Sequence, residues 1–362
     1  MLSSLPLALV EHQLAGRDRH YYACVPSKAL LRSGHALCSA QHVDGAAQAV
    51  TSKIGVEQVL KRRNRIVDNW IDDRASKEMM DVGIDIIRGK PAFAGKRKLS
   101  VISSNGGDAM IPDIEGIDNV KPWNNREATG AQQPPQSLLL LGGGAVGCEM
   151  ATAWITLGSK VTPAARDKLL GKFEPFVGGL VGESLVKLVD VRLEVIPISA
   201  VKSDGKVTVS FDDGSIVSAA EFLIATGRSP RTDLNFESIG FPSGDWLHVD
   251  DTVLVKADTN TSDPWLYALG DANNRAILQH QGKYQARVAA NAINARAKGG
   301  TLDTRPWGKH TATADTASVP QVIFADPGVA TVGLTESVAR ERGYRVTAIE
   351  YDLGKVVACQ WV

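Results

Sequence analysis

The stretch that decides the fold is SLLLLGGGAVGCEMATAWITLGSKVT, residues 137–162. Four leucines precede a glycine-rich turn, an apolar segment follows it, and Gly158 separates this segment from a second strand-like run. Gly142, Gly144 and Gly147 have the spacing G-x-G-x-x-G, in which glycines permit a tight turn, close approach of a pyrophosphate and close packing of helix on strand. The stretch therefore predicts a dinucleotide-binding unit in an α/β protein. A glycine turn that binds no ligand is the alternative.

The end of the second strand of this unit, KVTPAARDK at 160–168, indicates which dinucleotide is bound. An acid at this point binds the ribose of NAD, but the sequence has Ala165 there with Arg166 beside it. Loss of the acid together with an arginine favours a 2′-phosphate, and therefore NADP. Pro163 does not suit an interior strand, so a drifted strand with Arg166 as a solvated surface charge remains open.

Composition excludes several classes of partner. The chain has 362 residues with 40 basic and 40 acidic side chains, so its zero net charge argues against nucleic acid or an anionic membrane. The early apolar run LPLALV is too short to cross a bilayer and is not preceded by a basic region, so we interpret it as a buried strand rather than a signal peptide. Four cysteines in a chain of this length indicate a reducing compartment, and we expect the cytoplasm.

A second informative stretch is YYACVPSKALL, residues 21–31. Pro26 suits the first turn of a helix, and the N–H groups at that helix N-terminus can stabilise a thiolate at Cys24, with Lys28 one turn further on. The nearest other cysteine is Cys38. If both lie on one helix they are roughly 21 Å apart, whereas a disulfide needs Cα atoms within about 7 Å.

The rest of the chain alternates between strand and helix patterns. We expect a strand at LALVEH, one long amphipathic helix over 55–83, a hairpin around Asp213-Gly214, and a helix capped by Thr335 near the end of the sequence. Further strands are predicted at FLIATGR and WLYALGD, and a helix at GKYQARVAANAINARAKGG.

Several motifs, taken in order, resemble one enzyme family. CVPSKALL, GGGAVGCE, FLIATGR, WLYALGD with GKYQAR, and VPQVIFADPGVATVGLTE are similar to the flavin-dependent pyridine nucleotide–disulfide oxidoreductases, which include dihydrolipoyl dehydrogenase, glutathione reductase and mercuric reductase. The resemblance implies two Rossmann-like nucleotide-binding domains, an α+β interface domain and a homodimer. The implied boundaries are an FAD domain at 1–120, an NAD(P) domain at 121–235, the rest of the FAD domain at 236–305, and the dimerisation domain at 306–362.

The resemblance also implies roles for individual residues. Cys24 matches the cysteine nearer the flavin, Lys28 the lysine beside flavin N5, and Glu149 the glutamate that pairs with that lysine. The alternative is a surface lysine and a glutamate that suits a helix N-terminus. No metal site is expected. The implied cofactor-binding set, for FAD and NADP or NAD, is Glu11 for the FAD ribose, Asp271 for the ribitol, and Gly142, Gly144, Gly147, Arg166, Ala225, Thr226, Gly227 and Gly270.

The sequence departs from the family pattern at four places. No cysteine precedes Cys24, and Arg19 or a neighbour stands where the family has its second redox cysteine. Only ten residues precede Glu11, so we expect the FAD pyrophosphate turn to be missing and FAD to bind weakly. VISSNGGDAMIPDIEGIDNV lacks the family's strand ending in Ala-Thr-Gly, and His310, the last histidine, precedes the interface domain. We therefore expect an incomplete FAD domain and a truncated interface domain.

These observations lead to a functional hypothesis. The chain is expected to be a flavin-dependent NAD(P)H oxidoreductase, impaired in this form, that passes a hydride from NAD(P)H to FAD and electrons to a thiol, a disulfide or a small-molecule acceptor. A non-catalytic NADP-binding or assembly protein is the alternative from a different class. A redox sensor that uses Cys24 alone is weaker, because a resolving thiol is lacking.

Overall fold

The structure is a computed structural model that describes residues 6–102, 111–230, 234–256 and 264–355. Its first part begins with a strand that pairs in parallel with a second strand 77 residues later, Leu7 opposite Ile84 and Glu11 opposite Arg88. Helices lie between the two strands, and an antiparallel pair follows them. The elements are β1 (Leu7–Glu11), α1 (Arg17–Tyr21), α2 (Cys24–His42), α3 (Ala46–Ala49), α4 (Val56–Ile66), α5 (Asp73–Asp81), β2 (Ile84–Arg88), β3 (Lys90–Phe93) and β4 (Leu99–Ile102).

The central part contains a four-stranded parallel sheet, in the order β11-β5-β6-β7, and a three-stranded antiparallel sheet, in the order β10-β9-β8. Its elements are α6 (Ile117–Val120), α7 (Asn125–Gly130), β5 (Ser137–Leu141), α8 (Ala145–Thr156), β6 (Lys160–Ala165), α9 (Pro175–Val186), β7 (Arg192–Leu193), β8 (Pro197–Ser203), β9 (Lys206–Phe211), β10 (Ile216–Ala219) and β11 (Glu221–Ile224).

The four leucines of β5 explain why this sheet is the centre of the molecule. Successive side chains of a strand point to opposite faces. Leu138 and Leu140 pack in the core cluster that contains α2, α4 and α8, whereas Leu139 and Leu141 pack against the antiparallel sheet. Because both faces are covered, β5 is apolar at every position rather than at alternate ones.

The last part is mostly helix and turn. Its elements are α10 (Gln279–Ala297), α11 (Ala314–Ala317), β12 (Pro320–Ile323), β13 (Val329–Val332) and α12 (Glu336–Glu341), and one-turn 3-10 helices lie at Asp68–Trp70, Phe236–Ile239, Gly270–Asn273 and Leu353–Lys355. β12 and β13 form an antiparallel pair, and Ile323 and Ala325 enter the same core as α8. None of the helices within the described residues is both long enough and apolar enough to cross a membrane.

Much of the expected secondary structure is confirmed. The α/β class, the strand at FLIATGR, the helix α10 and the hairpin at Gly214 are all present. Cys24 and Cys38 lie on one helix, α2, as expected. Thr335 caps α12 by accepting a hydrogen bond from the Val338 N–H.

The prediction of a single long helix over 55–83 is wrong. α4 ends at Ile66, and the chain then passes through Asp68, Asn69 and Trp70, which all have positive φ. Contacts from distant residues hold this break. The Trp70 indole N–H donates to the Tyr21 carbonyl, and the Asp72 carboxylate accepts from the Ala15 N–H and from Arg88. The amphipathic pattern of 55–83 contains no information about hydrogen bonds to residues that lie elsewhere in the sequence.

The prediction of a strand at WLYALGD is also wrong. Tyr267 forms only an isolated bridge with Leu254. The neighbouring Val253 has φ +58°, which interrupts the extended backbone that a longer ladder needs. The passage from β4 toward IPDIEGIDN, where a family strand was expected to be lacking, includes residues 103–110 and lies partly outside the described residues.

Candidate active site

The glycine turn between β5 and α8 leaves bare backbone at a helix N-terminus. A Cβ on Gly142 would collide with the carbonyl of Ala225, and one on Gly147 would collide with the carbonyl of Gly142. At Gly144, by contrast, nothing lies within 4 Å of an added Cβ. Two glycines are therefore required by the protein's own packing, while the third faces open space.

The first turn of α8 is suited to an anion. Gly144 is its N-cap, no side chain caps the helix, and the first turn has no acidic residue. The free N–H groups and the positive end of the helix dipole therefore face the open space. The end of β11 lies alongside, because the Ala225 N–H donates to the Leu141 carbonyl at 2.7 Å, and Thr226 and Gly227 follow it.

The end of β6 shows how a proline fits an interior strand. The Ala164 carbonyl accepts from the Gly142 N–H, so the polar groups of Ala164 face β5 and those of Pro163 face the opposite side. β7 begins opposite Ala164, so no strand lies where the missing N–H of Pro163 would point. Ala165 is buried, and the neighbouring Arg166 is 77 % exposed with Asp167 as its ion-pair partner at 3.3 Å. β6 therefore forms a regular parallel strand despite Pro163, and the role of Arg166 stays a prediction.

The predicted pair of Lys28 and Glu149 is confirmed as a contact. The Lys28 ammonium donates to both carboxylate oxygens of Glu149, at 2.9 and 2.7 Å, across 121 residues of sequence. Glu149 is buried and also accepts a hydrogen bond of 3.1 Å from the Phe324 N–H. The Lys28 ammonium lies 4.9 Å from the centre of the Phe324 ring. The pair thus joins the Cys24 helix, the dinucleotide helix and the segment after β12.

The cysteines differ sharply in environment. Cys24 is the first residue of α2 and is exposed. Burial and a hydrogen bond to Asp326 raise the pKa of Cys38, and burial raises the pKa of Cys148 to about 12. Cys359 lies outside the described residues. Arg19, which with its neighbours is expected to stand where the family has its second cysteine, lies in α1.

Two other carboxylates, predicted to bind the flavin nucleotide, have partners outside the ion pair of Lys28 and Glu149. Glu11 is buried at the carboxyl end of β1, where it accepts a hydrogen bond of 2.9 Å from the Gln13 N–H. Asp271 lies in the 3-10 turn after Gly270 and forms an ion pair of 2.8 Å with Arg228. Arg228 directly follows Gly227, so this ion pair connects the 270–273 turn to the end of β11.

Comparison with known proteins places this arrangement. The profile described as pyridine nucleotide-disulphide oxidoreductase matches residues 3–299. The chain belongs to this family. Mercuric reductase of Staphylococcus aureus is 28 % identical over 357 residues, which cover 94 % of the chain and 62 % of that protein. Dihydrolipoyl dehydrogenase of S. aureus is 30 % identical over 353 residues, covering 91 % of the chain and 70 % of the relative.

A solved structure agrees with the fold. The HOCl-induced flavoprotein disulfide reductase RclA from Escherichia coli superposes with a TM-score of 0.77 and 22 % identity, covering 99 % of the chain and 79 % of that protein. The chain thus spans less than two thirds of the S. aureus mercuric reductase and about seven tenths of the dihydrolipoyl dehydrogenase. Members of the pyridine nucleotide–disulphide oxidoreductase family use FAD and NAD(P)H.

The residues of this chain fit the dinucleotide, and three of them also suit parts of FAD outside its pyrophosphate. The open backbone at Gly144 is a cradle for a dinucleotide pyrophosphate. A buried carboxylate at Glu11, an ammonium at Lys28 and a half-exposed carboxylate at Asp271 form a donor and acceptor set suited to ribose hydroxyls, a ring nitrogen and ribitol hydroxyls. The described residues include no cluster of three His, Cys, Asp or Glu side chains placed to hold a metal ion.

Sequence reasoning missed three contributors to this site. Phe324 covers Lys28, Arg228 pairs with Asp271, and Gln285 hydrogen-bonds the Gly270 N–H. All three residues occur inside motifs that carry the family resemblance, so the motifs were visible in the sequence while the contacts of these residues were not.

Proposed function

We propose that the chain is an FAD-dependent oxidoreductase that takes a hydride from NADPH and delivers two electrons to a small-molecule acceptor. The observation that carries the proposal is the ion pair between Lys28 and Glu149. It links the helix that starts at Cys24 to the helix whose N-terminus forms the dinucleotide cradle. The alternative of a non-catalytic NADP-binding protein receives no support from the comparisons.

Each part of the site has a physical task in this proposal. The N-terminus of α8 holds the pyrophosphate, and Glu149, on the second turn of the same helix, orients the Lys28 ammonium. Because Glu149 is buried, its charge needs the ammonium and the Phe324 N–H as partners. FAD, when bound, supplies the ring that accepts the hydride. The chain's own residues fix where the Lys28 ammonium lies, because the Glu149 carboxylate holds it by two hydrogen bonds.

Selection of NADPH over NADH rests on the end of β6. Ala165 leaves no acid to bind the 2′-hydroxyl, and the exposed Arg166 offers a guanidinium to a 2′-phosphate. The neighbouring Asp167 also holds Arg166 by an ion pair. This pair is exposed, so it stabilises little and a phosphate can compete with it.

The acceptor is proposed from the cysteine content. A single thiol cannot cycle as an intramolecular disulfide, and the sequence has no cysteine before Cys24. We infer that a quinone or oxygen takes the two electrons lost by NADPH, together with the transferred hydride's proton and one proton from solvent. The few cysteines favour a reducing compartment, and we propose the cytoplasm.

The test is anaerobic mixing of the purified chain, supplied with excess FAD, with NADPH. The proposal expects loss of the oxidised flavin absorption band. Adding a water-soluble benzoquinone should restore the band, whereas a disulfide such as lipoamide should not. Glu149→Gln should slow the loss of the band, and Glu183→Gln, an exposed change on α9, is its matched control and should behave like wild type.

Two outcomes would contradict the proposal in different ways. A chain that binds no FAD even in excess FAD, or binds it without reduction by NADPH, would overturn the oxidoreductase function. Rapid reduction of lipoamide that is lost in Cys24→Ser would overturn the proposed acceptor while leaving NADPH oxidation in place.

A further inference from the structure

A buried polar cluster lies behind the turn that carries Asp271. Its members are Gln281 and Gln285 on α10, Asp315 on α11, and Asn273 in the turn itself, and each is less than a tenth exposed. Such a cluster in a protein interior persists only when its hydrogen bonds are made. The cluster joins the 270–273 turn to the segment that leads into β12.

Gln285 is the centre of this cluster and is fully buried. Its amide oxygen accepts from the Gly270 N–H at 2.7 Å and from the Asn273 side chain at 3.0 Å. Its amide nitrogen donates to Asp315 at 2.9 Å. One side chain thus grips both ends of the turn and a residue 30 positions further along the chain.

Asp315 fixes which way the Gln285 amide points. Its side chain accepts from Gln285 at one oxygen and from Gln281 at the other, at 3.1 Å, and Arg275 lies 3.4 Å from the first oxygen. Burial raises the pKa of this carboxyl above its ordinary value, although the two amides and Arg275 act in the opposite direction. A carboxylate that only accepts forces the amide nitrogen of Gln285 toward itself, and therefore the amide oxygen toward Gly270.

The turn depends on this support. Gly270 has φ +64° and Asn274 has φ +55°, and the N-cap residue Leu269 makes no side-chain hydrogen bond. Within the turn, Asn273 donates to the Ala268 carbonyl at 2.9 Å and accepts from the Arg275 N–H at 3.0 Å, and Gln285 holds this Asn273 side chain. Asp271 is about half exposed, with Arg228 as its ion-pair partner, so the backbone of the turn sets where its carboxylate lies.

We propose that Gln285 and Asp315 are positioning residues that hold the Asp271 turn in the geometry needed to bind the ribitol of FAD. This inference rests on the proposed function for its cofactor, but the position of the turn can be measured without FAD. It couples cofactor affinity to the 311–319 segment, which neither the glycine motif nor the ion pair at Lys28 involves.

The first test compares two variants one helical turn apart. Gln285→Met removes both contacts to the turn, whereas Gln281→Met removes a contact to Asp315 and none to the turn. Gln285→Met is expected to speed hydrogen exchange at the Gly270 amide and weaken FAD binding by about tenfold each. Gln281→Met should leave both within about twofold of wild type, with NADPH affinity unchanged in both variants.

The second test is a rescue that does not depend on Gln285→Met folding. Asp315→Asn allows the Gln285 amide to flip, which should raise Gly270 exchange and FAD dissociation. In the double variant Asp315→Asn with Gln285→Glu, the new carboxylate accepts from Gly270, Asn273 and the new amide, so both readouts should return toward wild type.

The outcomes separate this inference from the proposed function. A wild-type chain that binds no FAD overturns the proposed function, and Gly270 exchange then decides on the turn alone. Equal effects of Gln285→Met and Gln281→Met, or a double variant no better than Asp315→Asn, would show a general contribution to packing and overturn the positioning role.

Discussion

The region around the Gly142 turn and the region around Glu11 differ in how their strands are covered. Around Gly142, four parallel strands have helices on one face and the antiparallel sheet on the other, and Leu138 to Leu141 are at most 4 % exposed. Around Glu11, the described chain has one parallel pair, in which Leu7 is 39 % and Ile87 43 % exposed. The first region sets its own backbone geometry. The second depends on contacts made by other parts of the chain.

The comparison explains why the site is assembled at helices rather than at the β1–β2 pair. Lys28 reaches Glu149 from α2, and α2 packs on α8 so closely that a Cβ on Gly34 would contact the Thr156 side chain. The region around Gly142 thus positions the helix that begins at Cys24. Variants in the two regions should therefore change stability, cofactor affinity and thiol reactivity to different extents.

The largest effect is expected at Arg63, which ties α4 to the segment entering the parallel sheet. Its buried guanidinium donates to the carbonyls of Thr129 and Ala131, and burial lowers its pKa to about 10. Arg63→Met leaves these carbonyls without donors, so the free energy of unfolding should fall by about 3 kcal/mol. Urea denaturation measures the change. The exposed Arg65→Met is the control, expected within about 0.5 kcal/mol of wild type, and a similar loss in both would refute the role.

Next comes the cradle itself. Gly144→Ala places a methyl group where the protein has no atoms, so the fold should be kept, but the methyl occupies the space for pyrophosphate. Loss of two charge-assisted hydrogen bonds should weaken NADPH binding about a hundredfold, measured by calorimetry. Gly179→Ala, with equally open space but within α9, is the control. Unchanged NADPH affinity in Gly144→Ala would show that the pyrophosphate does not bind at this turn.

A smaller effect is expected at Arg166. One charge-assisted contact to the 2′-phosphate stabilises the complex by roughly 1.5–3 kcal/mol. The net gain is smaller, because Arg166 gives up its ion pair with Asp167 to make this contact. Arg166→Ala should therefore weaken NADPH binding by about tenfold and leave NADH binding unchanged. Titrating both dinucleotides against both proteins checks this, with Lys187→Ala on the exposed end of α9 as a control for general charge. Equal affinities for NADPH and NADH in wild type would contradict it.

The smallest effect is a difference in thiol labelling. Cys24 is exposed and should be alkylated first near neutral pH. Cys38 should follow only as pH rises, because burial and Asp326 raise its pKa, and Cys148 should be last, with its pKa near 12. Mass spectrometry across pH reads the order. Asp326→Asn removes one cause of the raised pKa, so it should shift Cys38 labelling to lower pH, and an unchanged profile would contradict that assignment.

What the sequence could predict was local or carried by a motif. The glycine turn, the hairpin at Gly214 and the Thr335 cap depend on residues within a few positions of one another. The pair of Lys28 and Glu149 was predicted only because two motifs of one family occur together. The break after Ile66 was missed because its partners, Tyr21 and Ala15, lie about fifty residues away. The same limit hid the contact between Gln285 and Asp315, since Gln285 belongs to the GKYQAR motif but Asp315 lies 30 residues away and outside every motif.

The most direct test of the central claim is a double-mutant cycle on Lys28 and Glu149, read as the rate at which NADPH bleaches bound flavin. If the two side chains act as one unit, Lys28→Met and Glu149→Gln each slow bleaching, and the double variant is no slower than the worse single variant. NADPH affinity should stay constant, because the cradle at Gly144 is untouched. Rates that multiply in the double variant, or bleaching as fast as wild type in either single variant, would show that the pair only stabilises the fold.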